Sequence, residues 1–318
     1  MRPPIDSTSA ARLRELAQVK CGWLTQVAWS PVTNTLAVAG SNSVRLYVNT
    51  FGGAPTVTID GQSGPIKGVA FSPDGTRMAS VGADTLLRVW DIAGATPQVI
   101  HTLAGHSSSV EAVAFSPNAR HIATASADMT VRLWDAEQGA ELAVFRGHTS
   151  DVTTVDFLLQ GNLVASGGWD RTVRLWDVTS ETGGTIQGQH EDWVRQVAAN
   201  RAGTMFASAS KDGSIRLWDT FEDRPYGRWS AHRHGVDCVA FHPEGRILVT
   251  GGRDALVRLW NVSQVLQEGT ISQENALVTL TGHEKPVLSA TFNASGTLLA
   301  TASGDNTVRL WSVEQAQG

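Results

Sequence analysis

Five times in this chain a histidine is followed, at the same spacing, by a hydroxyl residue, an aspartate and a tryptophan. The sets are His106, Thr124, Asp128 and Trp134; His148, Ser166, Asp170 and Trp176; His190, Ser208, Asp212 and Trp218; His232, Thr250, Asp254 and Trp260; and His283, Thr301, Asp305 and Trp311. A hydroxyl, an imidazole and a carboxylate are the parts of a hydrolytic triad. A catalytic site seldom recurs five times in one chain, however, so the sets are expected to be structural. One further copy is incomplete, with Gln62 in the histidine place beside Ser80, Asp84 and Trp90. Another departs fully, with Lys20, Ala37, Ser41 and Tyr47, and should lack any such network. No glycine-rich phosphate loop precedes a helix, since Gly167-Gly168 and Gly251-Gly252 fall at strand ends, and no Cys/His spacing suits a metal. No cofactor is implied.

The elements that must carry these sets are short strands. Each set ends in one phrase, written Val131-Arg132-Leu133-Trp134 in its clearest copy and found seven times, from Val44-Arg45-Leu46-Tyr47 to Val308-Arg309-Leu310-Trp311. The closing aromatics lie 43, 44, 42, 42, 42 and 51 residues apart. A period near 42 built from short strands means a radial or stacked repeat architecture. In the third copy, Val110 to Phe115, His121 to Ala125, Met129 to Asp135 and Glu141 to Arg146 read as four turn-linked antiparallel strands, one blade-like sheet. Ser116-Pro117-Asn118-Ala119 and Ser126-Ala127-Asp128 supply turn chemistry. Apolar residues on both sides require packing against neighbours on both faces, with the arginine of each phrase expected to lay its stem between blades.

The Gly-His pair, the Asp before the third strand and the Trp-Asp ending resemble the WD40-repeat family, over about residues 14–312. The resemblance implies an all-β fold, a seven-bladed β-propeller with four antiparallel strands per blade. It also implies that the His, hydroxyl, Asp and Trp sets form a hydrogen-bond network inside each blade. The repeat frame does not coincide with the chain ends. Only seven residues follow Trp311, too few for a fourth strand. Aligning Leu24 to Pro31 with Val110 to Pro117 places Arg14 to Lys20 where a fourth strand belongs, so this N-terminal strand is expected to close blade 7. Residues 1–13 precede it, with a short helix expected over Ser9 to Leu13, capped by Asp6, Ser7 or Thr8. Residues 263–275 are an expected insertion in blade 6, between its third and fourth strands.

Function is sought where the copies differ. The resemblance implies partner binding on the face carrying the Gly-His loops, to which three positions per blade point. Reading these positions off gives a lopsided distribution: Trp169, Trp193, Arg195, Lys211 and Arg253 fall on three adjacent blades, 4 to 6. Tryptophan and arginine are the types that most often anchor interfaces. The alternative is that Trp169 and Trp193 shield each other among solvated charges. Asp151, Asp192 and Asp237 lie close by and would neutralise part of the basic charge.

The bulk figures narrow the classes. Net charge is -5, which argues against a nucleic-acid partner. No apolar run approaches the ~20 residues of a membrane-spanning helix. Two distant cysteines fit a reducing compartment, and if Met1 is the natural start the expected location is cytoplasmic. The reading is a non-catalytic, monomeric scaffold that binds a protein or peptide, acidic or phosphorylated, through blades 4 to 6. Two rivals stand beside it: a regulatory module of a larger signalling protein, such as a kinase or nucleotide-driven ATPase, and an enzyme with a site at the channel mouth. The regularity of the repeats is similar to that of bacterial members of the family.

Overall fold

Turn-forming residues every six to eight positions keep each strand short, and apolar side chains on both faces force the resulting sheets to stack. The computed structural model describes residues 2–49, 51–180, 183–222 and 224–314. Seven four-stranded antiparallel sheets follow one another as blades, six of them built in sequence order from inner to outer strand and the seventh taking its outer strand from the start of the chain. Blade 3 comprises Val110–Phe115, His121–Ser126, Thr130–Asp135 and Glu141–Arg146. Met129, expected within the third strand, instead lies in the preceding turn with φ of 68°. The corresponding Thr85, Arg171, Ala255 and Asn306 share this left-handed conformation. The cost of placing a side chain there is offset by the preceding aspartate, whose carboxylate closes the turn. In blade 3 Asp128 Oδ1 accepts from the Thr130 N–H at 3.0 Å.

The ring closes as the alignment implied. Leu13–Lys20 pairs antiparallel with Thr307–Val313, from Leu13 against Val313 to Lys20 against Thr307, and completes blade 7. Ahead of it the expected helix is a single 3-10 turn, Ala10–Arg12. None of Asp6, Ser7 and Thr8 takes the capping position, which Ser9 occupies without a side-chain cap bond. Asp6 instead folds the approach to it, accepting from the Thr8 and Ser9 N–H groups at 2.8 Å. Further upstream Ile5 is fully buried, 0% exposed, and its N–H donates to Gly296 O at 2.9 Å. It packs with Leu13, Ile247, Leu299, Trp311 and Val313 under blades 6 and 7.

The core is divided among the seams between blades. Ala123, Leu133 and Phe145 of blade 3 meet Val152, Val164 and Trp176 of blade 4, and the other seams follow the same scheme. Several arginines of the repeated phrase send their heads to polar groups of their own blade. Arg88 reaches Asp84 at 2.7 Å, Arg174 reaches Gly184 O at 3.2 Å and Arg132 meets Glu141. Between the third strand of blade 6 and its short outer strand, Val278–Leu280, lies a helix, Val262–Glu268, capped by Asn261 and ended by Gly269 at φ 70°. Its Val262 and Val265 pack with Trp229, and Gly269 O accepts from Arg228 N–H at 2.9 Å. This segment thereby covers the outer strand of blade 5.

Every inner strand carries a bulge after its first residue, at Leu24/Gln26, Ile66/Gly68, Val110/Ala112, Val152/Thr154, Val194/Gln196, Val236/Cys238 and Val287/Ser289. A bulge leaves its extra residue unpaired and re-aims the side chain. The residues so released are Thr25, Lys67, Glu111, Thr153, Arg195, Asp237 and Leu288. All seven line one cavity of about 420 Å³ at the mouth of the central channel.

Candidate functional site: the channel mouth and the blade networks

The five triad-like sets are joined by hydrogen bonds. In blade 3 His106 Nδ1 lies 2.8 Å from Asp128, its Nε2 lies 2.8 Å from the Thr124 hydroxyl, and Trp134 Nε1–H donates to that hydroxyl at 2.9 Å. Blade 4 repeats this with His148, Asp170, Ser166 and Trp176, and blade 5 with His190, Asp212, Ser208 and Trp218. Blades 6 and 7 do so with His232, Asp254, Thr250 and Trp260, and with His283, Asp305, Thr301 and Trp311. Burial holds His106, His190, His232 and His283 below the usual imidazole pKa. Desolvation opposes ionisation of the paired carboxyls. Hydrogen bonds from Thr130, His106 and the Ser107 N–H nevertheless bring Asp128 down to about 2. The order of groups is that of a triad, but Thr124, Ser166, Ser208, Thr250 and Thr301 are each 0% exposed. A hydroxyl that no substrate can touch, and that already accepts from an indole N–H, does not attack a carbonyl.

Blades 1 and 2 depart in different ways. In blade 2 Trp90 still donates to Ser80 at 2.8 Å, but Asp84 is taken by Arg88 and both amide atoms of buried Gln62 make no hydrogen bond. Gln62→His is expected to complete the network and stabilise the fold by about 1 kcal/mol, near 2 °C in the melting temperature at this size. A melt no higher than that of the wild type would show that Asp84 is not available to a histidine. In blade 1 the tryptophan place is held by Tyr47, whose hydroxyl lies 3.6 Å from Cys21 Sγ.

The family model for the WD domain, G-beta repeat, matches residues 53–91, 97–135, 139–177, 182–219, 223–261 and 274–312. The chain belongs to the WD40 family. Each matched WD40 segment begins near the outer strand of one blade and ends on the third strand of the next. The inner three strands of blade 1, which lack the His and Asp pair, lie outside the matched segments. Two relatives from Schizosaccharomyces pombe share shorter stretches. Periodic tryptophan protein 2 homolog is 55% identical over 42 residues, 13% of this chain and 5% of its own length. Target of rapamycin complex subunit wat1 is 36% identical over 70 residues, 22% of each chain. WD40 propellers are in general non-catalytic platforms for assembling proteins, and the match places this chain in that family. No helix among the described residues is long and apolar enough to cross a membrane.

On the face with the Gly-His loops, one backbone bond in each of blades 2 to 7 fixes the variable turn residue over the start of the inner strand. Trp169 N–H donates to Asp151 O at 2.8 Å, Lys211 N–H to Trp193 O at 2.9 Å and Arg253 N–H to Gly235 O at 3.0 Å. The structure brings the five singled-out residues into one chain of contacts. Trp169 and Trp193 stack with ring centres 4.3 Å apart and planes 11° apart. The Lys211 ammonium stands 4.0 Å from the Trp193 ring centre and the Arg195 guanidinium 5.4 Å from it. Arg195 and Arg253 then converge on Asp237, at 3.6 and 3.2 Å.

The two tryptophans therefore shield each other, and the basic groups are paired rather than free. Stacked by Trp169 and covered by Lys211, Trp193 has no open ring face, and Lys211 itself meets Asp192 at 3.4 Å. Sequence reasoning passed over three further features of this face. Lys67 and Glu111 form an ion pair at 3.8 Å across the seam of blades 2 and 3. Trp23 of blade 1 is 48% exposed. Below the mouth, Asp156 occupies a channel position held by alanine or threonine in every other blade. Its carboxylate accepts from the Ala199 N–H at 2.8 Å, and desolvation pushes its pKa up to about 6. Trp23 was within reach of the repeat frame. The pairings were not, because they depend on where the bulges aim.

Proposed function

We propose that this WD40 propeller is a cytoplasmic, monomeric and non-catalytic scaffold. Its channel-mouth face binds a protein or peptide through Trp169, Trp193, Arg195, Lys211 and Arg253. The observation that carries this reading is the continuity of the five residues, which run from blade 4 to blade 6 with Trp169, Arg195 and Arg253 lining one cavity. None of them is required by the repeat, whose other copies place Ala83, Ala127 and Gly304 at the turn position. The preferred ligand group is acidic or phosphorylated, since two guanidinium forks face one point and can clamp an anion. The open stacking area belongs to Trp169, with Trp193 as its backing. A scaffold role is also supported by the likeness to a subunit of the target of rapamycin complex.

The test compares wild type with Trp169→Ala/Arg195→Ala in quantitative pull-downs from the native source, with captured proteins identified by mass spectrometry. The double variant is expected to lose its specific partner while melting within a few degrees of the wild type. Both changed residues lie at the rim rather than in the seams. Retention of every wild-type partner at equal yield would place the binding surface elsewhere.

A further inference from the structure

At the centre of the basic patch sits an anion that belongs to the protein. Arg195 Nε lies 3.6 Å and Arg253 Nε 3.2 Å from the same atom, Asp237 Oδ1. Asp237 stands on the bulge of the blade 6 inner strand, and Arg195 on the equivalent bulge of blade 5. The aspartate side chain is only 8% exposed, yet its second oxygen, Oδ2, makes no hydrogen bond. A buried carboxylate is ordinarily well supplied with donors on both oxygens. This one is held through Oδ1 alone. Trp169 and Arg195 line the same cavity as Asp237, and the Trp169 Nε1–H and Arg195 Nε–H are likewise buried without hydrogen-bond acceptors.

Resting on the reading that this face takes an anionic partner group, we propose that Asp237 is a resident counter-anion that the partner must displace, and so sets the charge of the group the site accepts. A single carboxylate offers the two guanidinium groups nothing that Asp237 does not already supply. Asp237 also supplies it intramolecularly, at an effective concentration no free carboxylate matches. A phosphate monoester is different, because it carries close to two charges and three strong acceptor oxygens. It can span both forks and accept from Trp169 Nε1–H and Arg195 Nε–H as well, while the half-held carboxylate swings away. The site thus discriminates against plain acidic side chains and admits phosphate.

The experiment titrates wild type, Asp237→Asn, Asp237→Ser and Arg195→Ala/Asp237→Asn with inorganic phosphate and, separately, with acetate at constant ionic strength. Binding is read from tryptophan fluorescence, and melting curves confirm that each variant is folded. Wild type is expected to respond to phosphate and not to acetate. Both single variants should bind phosphate at least tenfold more tightly and begin to respond to acetate, and the double variant should lose that gain. Equal phosphate affinity in wild type and both single variants overturns the proposal. So does a gain that survives in the double variant, because the anion would then lie elsewhere. Either failure leaves the pull-down comparison standing as a separate test of the face.

Discussion

Removal of residues 1–20 is expected to lower the melting temperature by more than about 10 °C and to make the protein prone to association. The deletion takes away the outer strand of blade 7 and with it the ladder from Leu13 opposite Val313 to Lys20 opposite Thr307. It also withdraws Ile5 and Leu13 from the cluster they share with Ile247, Trp311 and Val313. Burial of one such side chain stabilises by about 1.5–3 kcal/mol, so these two alone contribute several kcal/mol before any strand pairing is counted. At roughly 2–4 °C per kcal/mol, the expected drop follows. The strand Thr307–Val313 would then present an unpaired edge, a template for pairing with another chain. Differential scanning calorimetry with light scattering measures both effects. An unchanged melt would mean that blade 7 does not depend on its N-terminal strand.

The second large effect concerns a single network. His190→Ala leaves Asp212 and Ser208 each without one of its partners, at a buried site where such a loss costs about 1–3 kcal/mol. Lys20→Ala, at the matching place in blade 1, removes an exposed side chain with no carboxylate to meet and should cost much less. Urea titrations separate the two, and equal losses would refute the network assignment. The pH dependence adds a sign. Burial lowers the pKa of His190, so the unfolded chain takes up its proton first as the pH falls below the usual imidazole range. Wild type therefore loses stability over that window for a reason the alanine variant lacks. The gap between them should narrow from pH 7.5 to pH 5.5.

The period of the Val-Arg-Leu-Trp phrase and its Gly-His and Asp companions made the blades, their order and the closing strand legible, because these features recur and recurrence is visible in one chain. The face was half legible. Counting along the frame picked out Trp169, Trp193, Arg195, Lys211 and Arg253, and the structure joins them. That Arg195 and Asp237 stand side by side at the mouth depends on a bulge in each inner strand. A bulge changes pairing without changing composition, so nothing in the residue types announced it. The left-handed turn position was hidden for a similar reason, since Thr85, Met129, Arg171, Ala255 and Asn306 share no chemistry. What they share is the aspartate before them. Ile5 lay outside the repeat altogether, where no second copy existed for comparison.

Closure by a strand from the other end of the chain has a mechanical side. Residues 13 and 313, the paired positions closest to the two ends, lie opposite each other in one ladder. Tension applied through segments attached before and after the ring would first draw Ile5 from its seat and then enter at that point, peeling the ladder open one pair at a time. Blades 1 to 5 would carry no load until blade 7 had parted. Blade 7 would act as a fuse, opening the ring at low force and reclosing when the pull is released.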